Sequence, residues 1–182
     1  MKTQLHLAAA LAAVGSARAQ DCLWQFNPST GPSLSSGQAS YDSARQRVVL
    51  GYESTEFRTY EYDGTTWTLR DNNTPGRRHH SRTAYDSIRQ RTVLFGGYNL
   101  SPSLTYRQDT WEWNGTQWTM VAATGPNPRA RYGMAYDVAR GKTVIYGGRG
   151  AGSTFFDDTW EWDGVTWVQR AGPGFLAGVV SR

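Results

Sequence analysis

The sequence predicts an all-β protein built from repeated, four-stranded antiparallel units. Three observations predict this class. Aromatic residues make up 13% of the 182 residues, including 8 Trp and 10 Tyr, a composition that favours strands. A long block recurs three times in tandem, which is typical of repeat architectures. Each copy also contains an Asp-Gly or Asn-Gly dipeptide, the strongest short-range signal for a β-hairpin.

The first nineteen residues have the order of a secretory signal peptide. Lys2 supplies the positive start, residues 5–14 form a short apolar run, and Ala17 and Ala19 make an A-x-A cleavage site. A short buried helix is the alternative, but no aromatic residue falls in this stretch. We therefore expect residues 1–19 to be removed and the protein to be secreted to an extracellular, periplasmic or cell-surface location. Residues 20–36 would then be a lead-in to the first repeat.

Charge and composition exclude several classes of function. Removing Lys2 and Arg18 lowers the basic count from 19 to 17, against 15 acidic residues, so the mature chain is nearly neutral. This balance predicts no nucleic-acid partner. No apolar run is long enough to span a bilayer, so we expect no membrane insertion after cleavage. A single cysteine, Cys22, excludes a disulfide framework and a cysteine-based metal site.

The first half of each repeat predicts an inner pair of strands. A Tyr-Asp block occupies residues 40–45, 84–89 and 135–140, and its tyrosines are separated by 44 and 51 residues. The Asp is expected to cap a turn, because an Asp side chain can bond the backbone two residues on. An apolar strand follows and ends in a glycine doublet in the second and third copies, at Gly96, Gly97, Gly147 and Gly148. The first copy lacks this doublet.

The second half of each repeat predicts an outer hairpin. It occupies residues 59–67, 109–118 and 158–167. A two-residue turn at the Asp-Gly or Asn-Gly dipeptide would pair an aromatic residue with the final Trp of each unit. The predicted pairs are Tyr60 with Trp67, Trp111 with Trp118, and Trp160 with Trp167.

The units resemble kelch repeats. The resemblance rests on the glycine doublet after an apolar strand and on an aromatic residue followed, after six residues, by Trp. It differs in the second and third copies, where Trp replaces the usual Tyr. It implies blades of a galactose-oxidase-like β-propeller, in the style of exported bacterial proteins. The expected division is residues 37–76 for a degenerate blade 1, 77–126 for blade 2, 127–172 for blade 3, and 173–182 for a lost fourth blade or a tail.

Three blades are fewer than the six or seven typical of kelch propellers. Two aromatic faces would be left open, which invites association. Two explanations remain open: a partial product of a longer propeller gene, or two chains that join into a six-bladed ring. We therefore expect self-association through the open blade faces in the second case.

The loops between strands two and three, and those between blades, should emerge at one end of the blades. Loops held by rigid strands are common places for function. The candidate binding residues there are Tyr98, Asn99, Arg107, Arg149, Phe155, Arg77, His79 and Arg129. Arginine and aromatic side chains suit sugar rings or acidic peptide groups. The alternative is that Arg77 and Arg129 only tie blades together through Asp109 and Asp158.

The sequence predicts no catalytic residue, metal or cofactor. The repeated Asp42, Asp86 and Asp137 are explained by their turns, and the adjacent His79 and His80 would point to opposite sides of a strand. The family's copper site would need a Cys within the repeats, and no sialidase Asp-box or nucleophile motif occurs. The predicted function is an exported module that binds a protein or a carbohydrate. The alternative is a fragment of a carbohydrate-active propeller enzyme.

Overall fold

The computed structural model describes residues 31–32, 37–53 and 56–171. The expected signal peptide, Cys22, most of the lead-in and residues 173–182 lie outside these described residues. Three four-stranded antiparallel sheets follow one another, and this confirms the predicted all-β class of propeller-type blades. Among the described residues, none forms a helix long and apolar enough to cross a membrane.

Strands of each sheet follow chain order from its inner to its outer edge. Blade 1 contains β1 (Gly37–Asp42), β2 (Arg47–Glu53), β3 (Phe57–Tyr62) and β4 (Trp67–Asp71). Blade 2 contains β5 (Arg82–Asp86), β6 (Arg91–Phe95), β9 (Thr110–Trp113) and β10 (Trp118–Ala122), with β7 (Tyr98–Asn99) and β8 (Thr105–Tyr106) as a separate small hairpin. Blade 3 contains β11 (Gly133–Asp137), β12 (Lys142–Arg149), β13 (Phe155–Trp162) and β14 (Trp167–Ala171), with a 3-10 turn at Ala151–Ser153.

The hydrophobic core lies between blades, because each sheet offers one apolar face to the next. The innermost strands β1, β5 and β11 lie side by side. One cluster joins blades 1 and 2, and its buried members are Val49, Phe57, Leu94, Trp113 and Trp118. The other joins blades 2 and 3, and its buried members are Val93, Phe95, Tyr132, Ile145, Trp162 and Trp167. Each blade therefore depends on its neighbour for burial, as in other repeat proteins.

The outer hairpins have a different register from the predicted one. Trp113 lies opposite Trp118, with ring centroids 5.6 Å apart, and the turn contains four residues. The Asn114 side-chain oxygen accepts from the backbone N–H of Thr116 and Gln117. Only Gly115 has a positive φ, of 97°, so a type I′ turn does not form. The same shift pairs Tyr62 with Trp67 and Trp162 with Trp167.

The inner turns form as predicted. Asp86 accepts from the backbone N–H of Ile88, two residues on, and from that of Arg89. The same carboxylate also binds the Arg89 side chain at 2.7 Å. Asp42 repeats the arrangement in blade 1. The repeated aspartates are thus explained by turn formation.

The glycine doublets allow close approach of the backbone at the ends of β6 and β12. All four glycines have positive φ. A Cβ on Gly96 would lie 2.6 Å from the Arg129 carbonyl oxygen, and one on Gly97 would lie 2.9 Å from that of His79. Blade 1 has no glycine doublet. Gly51 occupies the position that Phe95 has in blade 2, and the Phe57 ring fills the space where a side chain at Gly51 would lie. The degenerate blade therefore still builds a closed core.

Candidate functional site

Two buried arginines organise the loop end of blades 2 and 3. Arg129 is 0% exposed, and its guanidinium donates to both Asp158 carboxylate oxygens and to the Gly147 carbonyl. Arg78 makes the equivalent contacts with Asp109 and Gly96. Each pair lies within one blade and joins the start of the inner strand to that of the third strand. A guanidinium thus anchors each glycine doublet.

These pairs correct two expectations. Arg129 was predicted as a ligand-binding residue, but its buried side chain is already bound to Asp158 and presents no group to a ligand. The alternative expectation placed Arg77 on Asp109, but the neighbouring Arg78 occupies that position. The signal was present in the sequence, because Arg78 and Arg129 are 51 residues apart, as are the repeated tyrosines. Blade 1 has Arg58 in place of the aspartate.

Aromatic side chains complete both pairs. The Trp111 indole donates to Asp109 at 2.7 Å, and the Trp160 indole donates to Asp158 at 2.8 Å. The Arg129 guanidinium also lies 3.9 Å from the centre of the Phe156 ring. Burial alone would raise the pKa of Asp158, but hydrogen bonds from Arg129 and Trp160 hold it below its ordinary value. Both carboxylates therefore remain charged and structural.

The loops between strands two and three extend the sheets beyond these pairs. In blade 2, Tyr98 pairs with Tyr106 across β7 and β8, and its backbone also pairs with His79. In blade 3, Arg149 pairs with Phe155, and its backbone pairs with Ala130. Both extensions are thus short three-stranded ribbons. The sequence predicts only loops here, whereas the candidate side chains are held by regular backbone.

The ribbons bring most of the predicted binding residues to one end of the molecule. We call this surface the basic mouth; it comprises Arg77, His79, His80, Tyr98, Arg107, Arg131, Arg149 and Phe155. The two ribbons meet where the Arg131 backbone N–H donates to the His80 carbonyl. The Tyr98 ring lies 5.6 Å from the rings of both histidines. Asn99 lies at the edge of the same ribbon, where its side chain accepts from the Ser101 N–H.

Several polar groups in the basic mouth are buried without a bonding partner. Within the described part of the chain, this holds for the Nε atoms of Arg77, Arg107 and Arg149 and for Nε2 of His79. Buried polar groups are normally paired, because leaving one unpaired costs about 1–3 kcal/mol. The nearby carboxylates Asp109 and Asp158 are already bound to the buried arginines. The mouth therefore holds arginines without carboxylate partners around aromatic rings.

Electrostatics at the mouth disfavour additional positive charge. Burial and the neighbouring Arg77 lower the pKa of His79. Burial, Arg131 and Arg82 lower the pKa of His80. Both imidazoles are therefore neutral near pH 7, when they can accept or donate one hydrogen bond each.

An open pocket of about 410 Å³ lies beside the mouth on blade 3. Two predicted binding residues line it, Arg149 and Phe155; the Phe155 side chain is 76% exposed. The remaining lining residues are Arg131, Gly133, Tyr146, Gly147, Gly148 and Phe156. Tyr98, Asn99, Arg107, Arg77 and His79 lie around the blade 2 ribbon instead. Tyr146 and Arg131 are not among the predicted binding residues. Tyr146 lies on strand β12, where no loop signal occurs, whereas Arg131 falls in the loop between blades 2 and 3 that the sequence does indicate.

The described residues contain no group of three or more His, Cys, Asp or Glu side chains that could hold a metal ion. His79 and His80 follow one another, and both rings contact Tyr98. The histidines therefore belong to an aromatic cluster within the mouth.

Comparisons with known proteins identify a similar fold. No protein-family model matches the sequence, and no curated protein is similar to it. The solved structure of YjhT is similar, with a TM-score of 0.62 and 16% identity over 81% of this chain. The chain spans about half of that structure, 53% of its length. A fucose lectin from Kordia zhangzhouensis, solved with methyl-fucoside, aligns with a TM-score of 0.47 and 14% identity over 75% of this chain and 98% of the lectin.

Proposed function

We propose that this chain is an exported, kelch-type binding module that holds a carboxylate-bearing carbohydrate at its basic mouth. The observation that supports it best is that Arg77, Arg107 and Arg149 lie together at the loop end and form no ion pair with a carboxylate of the described residues, since Asp109 and Asp158 bind the buried arginines instead. Arginine binds carboxylates strongly, often through two parallel hydrogen bonds. A ligand of that kind would supply acceptors for these guanidinium groups.

The aromatic side chains favour a sugar as the rest of the ligand. The Phe155 ring is exposed and lies 5.8 Å from the Arg149 guanidinium. Tyr98 and Tyr106 form a second pair of rings, 5.6 Å apart, on the blade 2 ribbon. A sugar ring can stack its apolar face on such a ring while a carboxylate reaches the adjacent arginine.

A binding role requires no proton transfer or nucleophile. Asp109 and Asp158, at the loop end of blades 2 and 3, have a lowered pKa and are bound to arginine, so neither is suited to general acid catalysis. We therefore propose binding alone.

A glycan array can test the ligand class. The mature chain should bind carboxylated glycans in preference to their neutral counterparts. Arg107→Ala and Arg149→Ala should each weaken that binding by about tenfold to a hundredfold, because each removes hydrogen bonds to a charged group. Arg91→Ala is the matched control, since Arg91 lies at the opposite, turn end and bonds only backbone carbonyls. Equal binding of neutral glycans, or unchanged binding by both mouth variants, would contradict the proposal.

Export can be tested separately. Expression of the full chain in a secreting host, followed by N-terminal sequencing of the exported protein, should show a mature chain that begins at Gln20. A retained, uncleaved chain would contradict export without bearing on the ligand.

A further inference from the structure

Each blade has two faces, and the contacts between them repeat. We call the face toward the following blade the trailing face, and the face toward the preceding blade the leading face. The final Trp of each later blade donates its indole N–H to a Thr hydroxyl of the earlier blade. The two contacts are Trp118 to Thr59 at 2.8 Å and Trp167 to Thr110 at 2.9 Å.

A second contact repeats near the turn end. The Arg45 guanidinium of blade 1 covers Gly115 in the hairpin turn of blade 2, where an added Cβ would lie 2.8 Å from it. Arg89 of blade 2 covers Gly164 of blade 3 in the same way. Glycine is needed at both turns, because any side chain would displace the arginine.

A third contact involves the repeated Tyr-Asp block, which ends the adjacent inner strands β1, β5 and β11. Tyr85 in blade 2 is 8% exposed, and burial together with the nearby Asp42 carboxylate of blade 1 raises its pKa to about 12. Burial and Asp86 also raise the pKa of Tyr136 in blade 3. Each trailing face therefore offers an Asp, an Arg and a Thr, and each leading face offers a Tyr, a turn Gly and a Trp.

The trailing face of blade 3 carries this set without a following blade among the described residues. Its members are Asp137, Arg140 and Thr159. The Asp137 side chain is 32% exposed, whereas those of Asp42 and Asp86 are 7% and 4% exposed. Tyr146 is 42% exposed on this face, whereas Phe95 at the equivalent position of blade 2 is fully buried.

The leading face of blade 1 carries the matching set. Tyr41 is 56% exposed, whereas the equivalent Tyr85 is 8% exposed. Gly64 lies in the outer hairpin turn with a φ of 99°, and a Cβ there would meet no atom within 4 Å. Trp67 occupies the position of Trp118 and Trp167 and is half-buried.

We propose that a second copy of this chain docks the leading face of its blade 1 onto the trailing face of blade 3. The repeat assigns the contacts: Tyr41 beside Asp137, Gly64 beneath Arg140, and the Trp67 indole donating to the Thr159 hydroxyl. A second copy is the occupant because its blade 1 supplies a Tyr, a turn Gly and a Trp at the strand and turn positions that blades 2 and 3 use. Between the existing blades, the Trp113 and Trp162 indoles also donate to Glu61 and Glu112 of the preceding blade. Tyr62 stands at this position in blade 1, so that indole contact is not part of the interface.

The interface would also place the pocket between two copies. In blade 2 the equivalent space is closed by Tyr132 of blade 3, whose hydroxyl donates to the Phe95 carbonyl. Its ring packs 5.6 Å from that of Phe95. The position equivalent to Tyr132 in blade 1 is Gly37, which has no side chain to insert. The pocket lined by Tyr146 and Arg149 would therefore remain open at the junction, with its wall completed by the second copy.

Head-to-tail docking predicts a specific pattern of association. Sedimentation velocity of the mature chain should show a concentration-dependent dimer. Tyr41→Arg alters only the leading face and Thr159→Arg only the trailing face. Each should weaken association at least tenfold, about 1.4 kcal/mol. Met120→Arg, an exposed position on the outer strand of blade 2, is the matched control and should associate as the unmodified chain does.

Mixing the two variants separates this interface from a symmetric one. The Tyr41→Arg chain retains its trailing face and the Thr159→Arg chain retains its leading face, so an equimolar mixture should form a heterodimer that neither forms alone. Tyr146→Arg, at an exposed position, replaces Thr159→Arg if that variant does not fold. The proposal is overturned if the unmodified chain stays monomeric at its highest soluble concentration. That result would indicate that something other than a second copy, such as further blades, covers the trailing face of blade 3. Association of Tyr41→Arg alone would overturn it too, as it indicates a trailing-to-trailing contact.

Discussion

The two ends of the blades use the same side chain in opposite ways. At the turn end, Arg45 bonds both Asp42 and Glu61, and Arg89 bonds both Asp86 and Glu112. At the loop end, Arg107 and Arg149 have buried Nε atoms with no partner among the described residues. The arginines of the turn end are bound to carboxylates and hold the strands of a blade together, whereas Arg107 and Arg149 have no carboxylate partner among the described residues. The proposed function assigns the ligand to this second group.

The buried, paired Arg78 and Arg129 are the exceptions at the loop end, and Arg129 gives the largest predicted effect. Arg129→Leu leaves the buried Asp158 carboxylate without its cation. We expect this to lower the free energy of unfolding by about 3–5 kcal/mol. Urea denaturation of the purified chain measures it, with Arg149→Leu in the same blade as the control. A loss no larger than that of the control would contradict a structural role for the pair.

The second largest effect is expected from acid, which should lower the stability that the carboxylates of the turn end provide. Burial opposes ionisation of Glu61, but Arg45 and Trp113 hold the pKa of this carboxyl below its ordinary value, and Asp86 is lowered by its backbone and arginine bonds. The unfolded chain therefore binds protons first, so the stability from these groups is present above about pH 4 and lost as the pH falls further. Urea midpoints measured across this range should fall steeply. Glu61→Gln should flatten the change, and an unaltered profile would argue against the assignment.

The mouth should respond to acid at a higher pH and to a smaller extent. Because the pKa of His79 is lowered in the folded chain, the unfolded chain binds a proton first as the pH falls through about 6.5. Stability should therefore decline gently from about pH 6.5 to pH 5. His79→Phe should reduce that decline while leaving the steeper loss below about pH 4 in place. If the unmodified chain and His79→Phe show the same dependence of stability on pH, His79 is not the cause of the decline.

Loss of a mouth arginine that has no carboxylate partner should have the smallest effect on stability. Arg149→Ala should change the free energy of unfolding by no more than about 0.5 kcal/mol, because no carboxylate is left unpaired. The same variant should lose ligand affinity, so stability and binding separate at this residue. Thermal unfolding with and without a carboxylated glycan measures both. A strongly destabilised Arg149→Ala would place this arginine with the structural set.

Much of the fold was predictable because it depends on local patterns that recur. The Asp of each inner turn bonds its own neighbours, so residues 84–89 were enough to predict that turn. The outer hairpin was predicted in kind but not in register. Asn114 can either accept positive φ in a two-residue turn or cap a four-residue turn with its side chain, and the second arrangement forms. That choice places Trp113 and Trp118 opposite each other, where they pack against blade 1.

The candidate site was predicted in location but not in membership. Arg149 and Phe155 line the pocket as a loop-based prediction expects, whereas Arg129 is buried. The sequence does not distinguish an arginine that pairs with a distant carboxylate in the folded chain from one that does not. Asp158 is 29 residues from Arg129, so their pairing exists only after β13 has folded beside β12 in the sheet.

The sequence by itself determined the number of units, their strands and the end at which the loops gather, because repeated hydrophobic and turn patterns specify secondary structure locally. Tertiary structure alone decided which charges are neutralised and which faces are covered. These depend on distances between residues far apart in the chain: Trp167 reaches Thr110, and Tyr132 closes the space beside Phe95. On the trailing face of blade 3 the same chemistry recurs, exposed, around Asp137 and Thr159.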